Sequence, residues 1–215
     1  MRCMDLTHLI SREMPVYPGT EPPRLQPANT YERDGFQETL LTMYSHTGTH
    51  MDPPAHLFAG RTTLDQFPVE QFIGRALVIH CPELREGVPF SAVERVRPLA
   101  DQAEFLLFHT GWGRYWGTER YFGDYPCIDQ GIVDYLLQSG KKGVGLDTIG
   151  VDPIADAYLS IHRRLFQDHD LVVMENLANL DQIGDGLFTL FALPLRYQDA
   201  DGSPIRAVAV LDGEE

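Results

Sequence analysis

His46-Thr47-Gly48-Thr49-His50-Met51-Asp52-Pro53-Pro54-Ala55-His56 places three of the chain's eight histidines and a carboxylate within eleven residues. His and Asp are rarely buried together unless they pair with each other or bind a metal. Neutral imidazole and carboxylate are also the donors that suit a borderline divalent ion such as Zn²⁺ or Mn²⁺. A helix is excluded, because Asp52 and His56 would point away from His46 and His50, and Pro53-Pro54 would break it. The stretch is expected to be a strand end that turns through Gly48 and leaves on a stiff Pro-Pro segment. Such a loop converges His46, His50 and Asp52 on one ion and leaves a position open for water. His56, past the turn, is either a fourth ligand or a free imidazole suited to proton transfer.

A second constellation lies downstream. His162 falls on the apolar stripe of a helix expected over 155–166, together with Tyr158, Ile161 and Leu165. Glu175 ends the apolar run Leu171-Val172-Val173-Met174, so a strand would carry its carboxylate into or beside the core. A carboxylate there needs a cation or donors to stay charged. The two groups point to a second metal position, with Asp52 and Glu175 bridging two ions. The remaining histidines lack such support. His80 and His109 end apolar runs and read as strand-end residues, and His169 sits in a polar turn. Trp112, Tyr115, Trp116 and Tyr121 read as an aromatic patch engaged in ordinary packing.

The rest of the chain supports a mixed α/β domain spanning 1–215. Its 43% hydrophobic and 22% charged residues are ordinary for a globular enzyme. Short apolar runs at 76–81, 104–109, 143–147, 171–175, 187–193 and 206–211 predict buried strands, and alternation predicts another at 38–46. Asp129 is placed to cap a helix carrying Ile132, Val133, Leu136 and Leu137 and ending at Gly140. Residues 15–30, with five prolines, read as extended and irregular. The net charge of −14, from 17 basic and 31 acidic side chains, argues against nucleic acid and anionic membranes as partners. Cys3, Cys81 and Cys127 are odd in number and far apart, which argues against a disulfide framework. No apolar leader or membrane-spanning run is visible, so a cytoplasmic location is expected.

The stretch from His46 to His56 matches HxGTHxDxPxH, and the chain thereby resembles the bacterial cyclase-like metal-dependent hydrolases, whose members include kynurenine formamidase and isatin hydrolase. The resemblance extends to Asp5-Leu6-Thr7-His8, Gly145-Leu146-Asp147-Thr148, Val151-Asp152-Pro153 and Glu175-Asn176-Leu177. It implies a swivelling β/β/α fold, a homodimer or larger homo-oligomer and a small-molecule substrate. It also implies that His46, His50 and Asp52 hold one metal, that His162 and Glu175 help hold a second, and that His56 is the catalytic proton donor and acceptor. Isatin hydrolase-like members carry glutamine at the position of Glu175, so this residue favours a two-metal, arylformamidase-like centre. Tyr17 stands where the formamidase branch has a substrate-contacting tryptophan, and is the expected substrate contact. The resulting expectation is hydrolysis of an amide or formamide C–N bond by metal-bound hydroxide. A cyclic amide or lactone substrate at a single metal, and a metal-binding protein without catalysis, are the competing readings.

Overall fold

The computed structural model describes residues 1–84 and 86–211. Its strands are β1 (Arg2–Asp5), β2 (Arg24–Asn29), β3 (Glu38–Thr42), β4 (His50–Asp52), β5 (Ile73–His80), β6 (Phe105–His109), β7 (Gly143–Leu146), β8 (Val172–Glu175), β9 (Phe188–Pro194) and β10 (Ser203–Leu211). The α-helices are α1 (Tyr31–Asp34), α2 (Ser91–Glu94), α3 (Arg97–Ala100), α4 (Gln130–Gln138) and α5 (Ser160–Phe166). The six apolar runs expected to be strands correspond to β5 to β10. None of the described helices is long and apolar enough to cross a membrane.

Strands β5 to β8 run parallel to one another, and the antiparallel partners β4, β9 and β10 complete the ring. The order β10-β4-β8-β7-β6-β5-β9 returns to β10 through the β9–β10 pairing, closing a barrel; β1 extends β10 beyond β4. Because side chains alternate along each strand, two cores form. Met51, Ala76, Val78, Phe105, Leu107, Met174, Leu190 and Ala207 pack together inside. Leu77, Ile79, Leu106, Phe108, Val144, Leu146 and Val173 face outward beneath Ile132, Val133 and Leu136 of α4 and Ile161, Leu165 and Phe166 of α5. Asp129 caps α4 as expected, its side chain accepting from the Ile132 N–H.

Three expectations are corrected. The strand expected at 38–46 ends at Thr42 and pairs with β2 in a separate two-stranded ribbon. Its alternation marks no buried face, since Leu40 and Leu41 are both 55% exposed. Residues 24–29, read as irregular, form β2; Pro27 is accommodated by an edge position and a register shift. The helix expected at 155–166 begins only at Ser160. The preceding turn is held by Asp156, which accepts from Tyr158 N and Ser160 N, and Leu159 is left-handed at φ 55°. Tyr158 is consequently exposed and does not join the apolar stripe of Ile161 and Leu165. The described cysteines are free.

Candidate metal centre and active site

The barrel's alternation assembles the site. Met51 points inward, so its neighbours His50 and Asp52 point outward on β4. On the adjoining β8, Met174 is inward and Glu175 outward, and the register sets His50 directly opposite Glu175. Helix α5 covers this side and brings His162. The ligands were expected on a loop, but His50 and Asp52 lie on a strand. The turn at Gly48 (φ 66°) precedes that strand, and Pro54–His56 forms a 3₁₀ turn after it.

The nitrogen atoms facing the centre stand apart from the carboxylates. His50 Nε2 lies 3.4 Å from both Asp52 Oδ1 and Glu175 Oε2. His162 Nε2 lies 3.4 Å from Asp52 Oδ2 and 3.3 Å from Glu175 Oε1. The contacts on the far sides of these rings are shorter. His50 Nδ1 donates to the Gly48 carbonyl at 2.8 Å, and His162 Nδ1 donates to Asp152 Oδ2 at 2.6 Å. His46 Nδ1 meets Asp52 Oδ1 at 2.7 Å, and its ring packs 4.1 Å from that of His56. Two groups of ligating atoms, each gathered within 4.8 Å, result: His46, Asp52 and His56, and His50, Asp52 and Glu175. Asp52 belongs to both.

Electrostatics make this cluster a sink for positive charge. Burial works against charging His50, but Asp52 and Glu175 outweigh it and raise its pKa to about 9. Burial likewise opposes charge on His162, yet Asp152, Asp52 and Glu175 hold its pKa well above the usual range. Asp52 would be raised by burial, but His46 and His50 carry it well below the ordinary carboxylate value. For Glu175, burial and Asp52 act upward, while His162 and His50 prevail and lower it. Burial dominates at His56 and lowers its pKa, leaving a neutral imidazole at pH 7.

A divalent ion fits these residues. Two donors about 2.0–2.1 Å from a tetrahedral ion stand roughly 3.3 Å apart, which is the separation of the inner His50 and His162 contacts. The buried His46 Nε2 makes no hydrogen bond; Asp201 Oδ2, at 3.5 Å, is its nearest carboxylate partner. Carboxylates at 1% and 5% exposure, Asp52 and Glu175, make no described ion pair with Lys or Arg. Mixed N and O donors of this kind match Zn²⁺ and Mn²⁺ alike.

A cavity of about 580 Å³ opens onto the cluster and is lined by every expected site residue: Tyr17, His46, His50, Asp52, His56, His162 and Glu175. The other histidines stay outside it. His80 and His109 close β5 and β6 with their Nδ1 atoms 3.0 Å apart, and His169 is exposed. The aromatic patch is a packed cluster around Trp112, Tyr121, Tyr125 and Ile149. Three supporting residues were missed. Asp152 orients His162, and its spacing to that histidine gave no helical or strand signal. Asn176, left-handed at φ 57°, donates to the Gly48 carbonyl and accepts from Tyr121 Oη, thereby bracing the turn before His50. Gly202 lies against His46 so closely that a Cβ there would stand well inside van der Waals contact of the ring's Cε1.

The fold and the cluster define the class: an α/β barrel with a buried His–Asp–Glu centre on its outer, helix-covered face. The cyclase family model, described as "Putative cyclase", matches residues 4–153, and the chain belongs to this family. A kynurenine formamidase of Bacillus thuringiensis (strain Al Hakam) is 33% identical over 208 residues, covering 95% of each chain. Isatin hydrolase A from Labrenzia aggregata bound to benzyl benzoate superposes with a TM-score of 0.84 at 23% identity, over 97% of this chain and 93% of that one. Isatin hydrolase A from Ralstonia solanacearum gives 0.82 at 23% identity, over 97% and 91%. The family and fold expected from the motif are therefore borne out.

Proposed function

We propose that this chain is a metal-dependent hydrolase of an amide or formamide C–N bond, arylformamidase-like in its substrate class. The observation that carries the reading is the convergence of His50 and His162 Nε2 on the buried carboxylates of Asp52 and Glu175, 3.3–3.4 Å apart at the base of one cavity. His46, His50 and Asp52 would hold one ion, and His162 and Glu175 a second, with Asp52 and Glu175 common to both. When bound, Zn²⁺ or Mn²⁺ at such a site polarises a carbonyl and lowers the pKa of water from about 15.7 toward 7.

The protein's own groups supply the rest. His56, kept neutral by burial, accepts a proton from the water that attacks the carbonyl carbon. It then donates that proton to the leaving nitrogen as the C–N bond breaks, releasing an amine and a carboxylic acid. Tyr17, Tyr44, Tyr125 and Ile149 line the cavity and suit an aryl group. Among the described lining residues none is Lys or Arg, which favours a neutral anilide over one bearing a carboxylate. The 33% identity to a kynurenine formamidase supports the same class. Leu40 and Leu41 on the exposed ribbon suit burial against a second copy of the chain.

The test is metal content per chain, measured together with hydrolysis of a formanilide and of a lactam, before and after chelation. Near two ions and chelation-sensitive formanilide cleavage are expected. Preferential lactam cleavage would replace the substrate class with a cyclic amide. Absence of metal binding and of activity after Zn²⁺ or Mn²⁺ addition would overturn the proposal.

A further inference from the structure

We infer that Asp152 is the positioning residue of the centre: it fixes which nitrogen of His162 is left bare toward Asp52 and Glu175. The inference rests on the metal-centre reading above. Asp152 is 3% exposed and spends its whole carboxylate on two adjacent residues. Its Oδ1 accepts from Ile161 N at 2.5 Å, and its Oδ2 accepts from His162 N at 3.1 Å and His162 Nδ1 at 2.6 Å. The two backbone contacts would serve the start of α5 whatever side chain occupied position 162. The contact to Nδ1 does something further. A carboxylate accepts and does not donate, so Nδ1 must carry the hydrogen. When the ring carries a single hydrogen, the lone pair is thereby left on Nε2, the atom that faces Asp52 and Glu175.

The neighbouring residue acts on the opposite ligand. Val151 N donates to Glu175 Oε1 at 3.1 Å, and Glu175 Oε1 is the oxygen nearest His162 Nε2. One dipeptide, Val151-Asp152, thus aims the carboxylate of β8 and the imidazole of α5 at the same point. Its backbone is in turn fixed by the Tyr125 hydroxyl, which donates to the Asp152 carbonyl. This explains how a histidine on a seven-residue helix and a glutamate on a separate strand share a fixed geometry.

Asp152→Asn reverses the contact to Nδ1 at the cost of one backbone contact, because Oδ2 serves both His162 N and His162 Nδ1. The amide oxygen still accepts from Ile161 N, but its NH₂ now faces Nδ1. That arrangement requires Nδ1 to be the acceptor and moves the hydrogen to Nε2. In the Zn²⁺-loaded protein, where coordination removes the second hydrogen of the ring, ¹⁵N-histidine NMR is expected to show the remaining hydrogen of His162 on Nδ1 in the wild type and on Nε2 in the variant. Zn²⁺ titration is expected to fall from near two ions to near one, with the second bound about 10–100-fold more weakly. The thermal midpoint of the metal-free variant should stay close to wild type. An unchanged tautomer, or two ions bound with wild-type affinity, would overturn the inference. Should the variant fail to fold, the wild-type tautomer decides: Nε2–H on His162 refutes it. If the wild type binds fewer than two ions, the metal-centre reading fails, while the tautomer measurement still judges the role of Asp152.

Discussion

Met51 and Met174 face each other across β4 and β8 inside the barrel, both 0% exposed. On the reverse of the same two strands His50, Asp52 and Glu175 are 4%, 1% and 5% exposed. The two faces are equally dry and chemically opposite. The inner face needs only volume well filled, because close packing is what stabilises apolar side chains. The outer face needs every lone pair and N–H accounted for, since an unpaired polar atom in a low dielectric is costly. Burial alone therefore does not distinguish core from site here; the identity of the partner does.

That contrast can be broken from the polar side first. Asp52→Ala removes the residue common to both ligand groups and should abolish the binding of both ions. Formanilide turnover is expected to fall by about 10⁴-fold or more, checked by metal analysis alongside steady-state rates. His56→Ala should be milder and differently patterned, with both ions retained and kcat lowered ~10²–10⁴-fold. Retention of near wild-type kcat would remove His56 from proton transfer.

Attacking the apolar side should give the converse result. Met174→Ala leaves a cavity in the barrel interior and should cost about 2–5 kcal/mol in urea unfolding. Metal content should be unchanged, because the side chain points away from the centre. Loss of an ion in this variant would show that the two faces are not independent.

The smallest effect concerns pH. His8 stacks on Trp116 with ring centroids 3.9 Å apart, and burial lowers its pKa to about 4. Between roughly pH 6.5 and that value the unfolded chain takes up a proton that the folded chain refuses. Stability should therefore decline as pH falls through this window and be fully present above it. His8→Phe should flatten that part of a Tm–pH curve; an unaltered slope would exclude His8 as the source.

Much of this was legible in the amino-acid order because alternation and spacing are local. The runs that became β5 to β10 carried their own signal, and so did Asp129 as a cap. The candidate site residues were visible for a different reason: His46, His50, Asp52 and His56 are dense enough to stand out, and Glu175 is an acid ending an apolar strand. What stayed hidden depends on contacts between distant segments. The ribbon of β2 and β3 has the alternation of a half-buried strand, yet Leu40 and Leu41 both stay exposed. Asp152 declares itself only when α5 folds back over it, and Asn176 only when β8 lies beside the Gly48 turn. The closure of the barrel through β9 and β10 likewise has no signature in either strand alone.

Gly202 carries no chemistry, yet the space it leaves is occupied by the His46 ring. A single methyl group at that position would displace the imidazole without altering any residue of the cluster. Glycine 202 is in this sense part of the histidine's address. A homologous sequence that kept His46, His50, Asp52, His56, His162 and Glu175 but carried alanine at 202 would pass an inventory of site residues. On the assignment proposed above, it would nonetheless have lost the fixed position of His46.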